Sequence, residues 1–89
     1  MTRLFIRHSV RDYDTWRKAY DAFGSQRTAM GVTGAEVFRS VTDPGDVTVW
    51  HDFASITEAQ AFAALPSLKE AMQGAGVLSK PDFWYTDRG

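Results

Sequence analysis

Three features of the sequence predict an α+β domain with the order strand, helix, strand, strand, helix, strand. Apolar residues alternate with a period of two in four short segments. They recur at steps of three and four in two longer ones. Between the second and third strand segments stands Asp43-Pro44-Gly45-Asp46, a turn in which Pro presets φ and Gly supplies a positive one. This is the split βαβ, or ferredoxin-like, order (βαββαβ). Its product is a four-stranded antiparallel sheet with two helices on one face.

Leu4 to Val10 reads as the first strand, with Leu4, Ile6, His8 and Val10 on one face and Phe5, Arg7 and Ser9 on the other. Asp12 and Asp14 offer N-caps for the helix that follows. Its bulky stripe runs Tyr13, Trp16, Tyr20, Phe23 and Met30, widened by Ala19 and Ala22. Gly24 weakens the case for one unbroken helix, and Gly31 is a good stop. Val32 to Thr42 reads as the second strand and Val47 to Phe53 as the third, closing a hairpin. Ser55-Ile56-Thr57-Glu58 is a capping box opening the second helix. Pro66 breaks or restarts that helix, Leu68, Ala71 and Met72 continue its stripe, and Gly74 or Gly76 ends it. Pro81 to Thr86 is the last strand.

Composition narrows the class. The 89 residues suffice for one domain, expected to span 1–89. The chain has no cysteine, which excludes disulfides and thiolate metal sites. Ten Lys and Arg against eleven Asp and Glu give a net charge of −1, which argues against a nucleic-acid partner. No apolar run is long enough for a membrane span, and Met1 to Arg7 is too short and interrupted for a signal peptide. A cytoplasmic location is expected.

Two helices cover only one sheet face, yet both faces carry apolar residues. The second face would present Phe5, Phe38, Trp50 and Trp84. Each large aromatic carries ~150–250 Å², so four exceed what a monomer normally exposes. A two-fold homodimer through this face is the expected partner.

The sequence resembles the antibiotic biosynthesis monooxygenase-like domains of the dimeric α+β barrel superfamily. The resemblance rests on Val10-Arg11-Asp12-Tyr13-Asp14-Thr15-Trp16, on Val49-Trp50-His51-Asp52-Phe53-Ala54-Ser55 with Glu58-Ala59 and Phe62, and on Leu65-Pro66-Ser67-Leu68-Lys69-Glu70-Ala71-Met72. It implies two copies with their sheets face to face as a barrel and a pocket between sheet and helices in each subunit. It further implies one of several activities: cofactor-free oxygenation of aromatic polyketides, haem degradation, or isomerisation and cyclisation. For haem the match is poor. Met72 stands where the haem-degrading branch carries its histidine, Phe53 where it carries tryptophan, and the chain contains no asparagine. No cofactor and no metal are expected.

His8 and His51 are the only histidines, both on faces that otherwise read Leu, Ile and Val. With the centres of the first and third strands in register, they would lie ~7–8 Å apart diagonally. Such imidazoles supply a base near neutrality, or are simply core histidines with satisfied hydrogen bonds. His51, His8 and Tyr20 are the candidate catalytic residues. Trp16, Phe53, Phe62, Met72 and Tyr85 are the candidate lining of a small aromatic-ligand pocket, against the plainer alternative of ordinary core. Arg7 and Arg39 are expected to pair with Glu36 or Asp52 across the sheet or the dimer. The leading function is a cofactor-independent monooxygenase on an aromatic or polyketide-like substrate. The alternatives are a non-oxidative isomerase or cyclase, and a non-catalytic dimer that binds a ligand or protein.

Overall fold

The structure, a computed structural model, describes all 89 residues. Strand β1 spans Thr2–Ser9, β2 Gly34–Arg39, β3 Asp46–Phe53 and β4 Asp82–Asp87. Helices α1 (Tyr13–Ala22) and α2 (Gly24–Ala29) connect β1 to β2, and α3 (Ile56–Ala63) and α4 (Pro66–Gly74) connect β3 to β4. The strands form one antiparallel sheet in the order β2-β3-β1-β4, the ferredoxin-like arrangement.

The alternation of β1 and β3 builds the core. Leu4, Ile6, Val47, Val49 and Phe53 turn to the helical side and are buried. Trp16 of α1, Ala59 and Phe62 of α3 and Leu68 of α4 meet them there. Phe62 has no exposed surface and packs against Phe53 and Phe23, with ring centroids 5.5 and 6.4 Å away. Burying a side chain of this size contributes ~2–3 kcal/mol.

Each helix begins where its local chemistry allows. The Asp12 carboxylate accepts from the Thr15 backbone N–H at 2.9 Å and from its hydroxyl at 2.6 Å. The Ser55 hydroxyl accepts more weakly from the Glu58 N–H at 3.5 Å. Pro66 restarts the chain as the first residue of α4, where its missing N–H costs nothing. The first helical stretch breaks at Phe23, one residue before Gly24, with φ −83° and ψ 0°. Gly31, at φ +96°, ends it.

Three expectations are corrected. β2 stops at Arg39, and Val41 is fully exposed outside it. The arginines choose other partners: Arg7 pairs with Asp46 at 2.7 Å, and Arg39 donates to the Pro44 carbonyl and covers the Tyr13 ring. It is Arg3 that holds Asp52, through two nitrogens at 2.8 and 3.1 Å. Strand register explains this, because Arg3 lies directly opposite Asp52. Finally, β4 is exposed along its whole length. Phe83 and Tyr85 stand opposite Ile6 and Leu4 on the helical side, but at the sheet edge they stay exposed.

These roles separate in magnitude. Asp12→Ala is expected to cost about 1 kcal/mol of unfolding free energy. Phe62→Ala is expected to cost about 3–5 kcal/mol. Urea denaturation of the two variants checks both, and comparable losses would contradict this division.

Candidate functional site

A cavity of about 50 Å³ lies between the helical face of the sheet and the four helices. The sheet contributes Ile6, His8, Val49 and His51; the helices contribute Trp16, Tyr20, Arg27, Phe62 and Met72, among others. Its walls are mainly apolar, and its polar groups are two imidazoles, one phenol and one guanidinium.

The rings form a connected series. Tyr13, Trp16 and Tyr20 follow each other at helical spacing, and Trp16 stacks on Tyr20 at 5.0 Å. Trp16 meets His8 edge-on at 5.7 Å. Tyr20 lies 6.0 Å from His51, and His51 lies 5.3 Å from Phe62. The chemical centre of the series is the Tyr20 hydroxyl, 3.0 Å from His51 Nε2. Which of the two donates depends on the imidazole tautomer.

Both histidines are nearly inaccessible, at 5% for His8 and 2% for His51. Both nitrogens of His8 and Nδ1 of His51 have no protein partner. Burial pushes each imidazole down to about 4. For His51 the Arg27 charge adds to the effect, while Asp52 opposes it; for His8 it is Asp46 that opposes burial. Burial raises the Tyr20 phenol, against the pull of Arg27 and Arg17. The site therefore holds two neutral imidazoles and a neutral phenol near pH 7.

Not every candidate meets here. His51, His8, Tyr20, Trp16, Phe62 and Met72 line the cavity. Phe53 is fully buried behind Phe62 and does not line it. Tyr85 lies on the exposed edge strand, also outside the lining. The two histidines are not diagonal neighbours. His51 pairs with Leu4 and His8 with Val47, so four residues of strand, roughly 13 Å, separate them.

Arg27 is not among the candidates that the sequence offered. Its guanidinium covers the Tyr20 ring at 3.8 Å and donates to the Tyr20 carbonyl. The signal was its spacing, seven residues after Tyr20, which in an unbroken helix would put the two on one face.

No group of three His, Cys, Asp or Glu side chains is placed to hold a metal. No helix is long and apolar enough to cross a membrane.

No family model and no curated protein sequence matches the chain. Solved structures do. A crystal structure of an antibiotic biosynthesis monooxygenase aligns over 100% of this chain and 99% of its own, with a TM-score of 0.76 and 11% identity. A protein from Nitrosomonas europaea, described as a putative antibiotic biosynthesis monooxygenase, aligns over 99% and 98%, with a TM-score of 0.75 and 13% identity. SnoaB, a cofactor-independent oxygenase from Streptomyces nogalater, aligns over 99% and 93%, with a TM-score of 0.76 and 11% identity. The chain thus has a ferredoxin-like α+β fold. More narrowly, its fold is that of the antibiotic biosynthesis monooxygenase-like proteins, as the sequence resemblance implied.

The histidines impose a pH signature. Their native values lie below the unfolded value of 6.5, so the unfolded chain binds protons first as pH falls. Each costs nothing above pH 6.5 and roughly 3 kcal/mol once pH reaches 4. Urea unfolding across this window is expected to show falling stability, with about half the loss removed by His8→Leu. A profile that stays flat down to pH 4.5 would contradict neutral burial.

Proposed function

We propose that the protein is a cytoplasmic, cofactor-independent monooxygenase-like enzyme that oxidises a hydroxylated aromatic, polyketide-like substrate in this cavity. The observation that carries the proposal is the Tyr20 hydroxyl and His51 Nε2, 3.0 Å apart within a mainly apolar, aromatic-lined space. The oxygenase named among the fold neighbours supports it.

The chemistry asks little of the protein beyond orientation and charge control. An ionised hydroxyarene is electron-rich enough to react with dioxygen directly. One oxygen atom enters the ring carbon to give a quinone, and the other leaves as water with the two displaced hydrogens. The reaction balances without an external reductant. Trp16 and Phe62 would hold the ring, and Tyr20 and His51 would hydrogen-bond the oxygen that carries developing charge. Their exclusion of water protects the reactive anion.

A weak base sets a condition. An imidazole at about 4 takes a proton from an ordinary phenol only at a large free-energy cost. His51 therefore works best as a hydrogen-bond partner for an oxygen that is already acidic or already ionised. His8, well away along the strand, would face another part of the ligand.

One observation favours the non-catalytic alternative. The cavity, about 50 Å³, is well below the ~300 Å³ at which ordinary ligand sites begin. An aromatic substrate must displace side chains to enter. Met72, unbranched and adaptable, lines the helical wall where such displacement is cheapest.

The assembly belongs to the same proposal. On the sheet face away from the helices, Phe38 and Trp84 are 47% and 41% exposed. Phe5 stacks on Trp84 at 5.1 Å, and Arg3 covers Trp50 at 3.6 Å, leaving both half-buried. A second copy would cover this face and make the two-sheet barrel.

Dioxygen uptake over a panel of hydroxylated aromatics tests the activity. Uptake with quinone formation is expected, falling at least tenfold in folded His51→Ala and in Tyr20→Phe. Turnover that proceeds without dioxygen would point to isomerisation or cyclisation, and no turnover of any kind to the binding role. Sedimentation at micromolar concentration is expected to show a dimer, converted to monomer by Phe38→Asp combined with Trp84→Asp. A monomeric parent chain would overturn the barrel.

A further inference from the structure

Arg27 is the one formal charge in the lining of the cavity. The three ion pairs of the protein are Arg3–Asp52, Arg7–Asp46 and Arg17–Asp21, so no carboxylate neutralises it. Its guanidinium is fixed from two sides. Its Cζ sits over the Tyr20 ring, 3.8 Å from the centroid, and Nη1 donates to the Tyr20 carbonyl. A guanidinium has five N–H donors in a rigid fork, so most of its donors remain free.

A second observation comes from the sheet side. The buried side-chain polar atoms without a protein partner are all histidine nitrogens: His8 Nδ1 and Nε2, and His51 Nδ1. Both histidines line the same cavity, at 95% burial or more. Buried polar groups are costly when left unpaired, so this space suits a ligand with its own polar atoms rather than a hydrocarbon.

We infer that the cavity takes its aromatic ligand as a carboxylate, with Arg27 gripping the anionic group beside Tyr20 and the ring lying among Trp16, Tyr20 and Phe62. This rests on the reading of the cavity as a ligand site and names the class of ligand it selects. A carboxylate matches the guanidinium fork through two parallel hydrogen bonds, whereas a neutral amide offers one acceptor and no charge. The carboxylate is already ionised near pH 7, so its capture by Arg27 asks for no base, while ionising the ring hydroxyl stays a separate step. Arg27 is thus a specificity-determining residue, and it discriminates by charge rather than by ring shape.

Calorimetric titration of the full chain with sodium salicylate and with salicylamide, near neutral pH and low salt, tests the inference. These probes share a hydroxylated ring and differ in charge. Salicylate is expected to bind about tenfold or more tightly than salicylamide. Arg27→Gln should remove that preference while leaving salicylamide affinity within about twofold. Arg27→Lys, which keeps the charge but loses the fork, should retain part of it. Added salt should narrow the gap in the parent protein. Thermal melts establish that each variant is folded, and Arg27→Lys carries the test if Arg27→Gln is not. Equal affinity for the two probes, an unchanged preference in the variants, or no salicylate binding by folded parent protein would each overturn the inference. The readout is binding alone. Charge-selective binding without dioxygen uptake would leave Arg27's role standing while the oxygenase reading fell. Uptake with neutral phenols, indifferent to Arg27, would do the reverse.

Discussion

The period-two alternation of the two central strands is the constraint on which everything else depends. β1 and β3 lie side by side with Leu4 opposite His51, Ile6 opposite Val49 and His8 opposite Val47. This register commits one set of side chains to the helices and the other to the outside. A slip of β1 by one residue would exchange its two sets: Arg3, Phe5 and Arg7 would enter the core, and His8 would turn to the outer face. The core, the neutral imidazoles and the aromatic outer face are three consequences of one pairing.

That pairing explains why the site is apolar in its walls and polar at only a few points. A small domain can spare few large side chains from its core. Here the same aromatics serve both purposes. Phe62 seals Phe53 and flanks His51, while Trp16 fills the core and reaches His8. Space is consequently scarce, and the imidazoles are held neutral by the packing that stabilises the fold. The polar groups of the site are thus hydrogen-bonding groups rather than strong bases.

Much of the architecture was legible in the residues. The order of elements followed from periodicity, the hairpin from Asp43-Pro44-Gly45-Asp46, and the helix starts from Asp12, Ser55 and Pro66. Strand faces were legible because alternation needs no partner to define it. Register was not, because it depends on which residue of β3 meets which residue of β1. Hence the right face but the wrong spacing for His8 and His51. Tyr85 was misplaced for a related reason: its face was readable from the sequence, but its position at an edge beyond the reach of the helices was not. Arg27 was hidden because a cation on a helix flank normally points to water. Only the tertiary structure shows it turned over Tyr20.

The interruption at Phe23 has a consequence for how such a protein diversifies. In a straight helix, residues seven apart are separated by ~10 Å of rise, and a side chain must lie along the axis to return. Placing a joint between Tyr20 and Arg27 lets the short second segment α2 set the reach of the guanidinium independently of the sheet. Substitutions or small length changes in this connector can thus move the guanidinium while the scaffold beneath keeps its register. The guanidinium's placement is set by the connector, whereas the aromatic walls of the cavity belong also to the core.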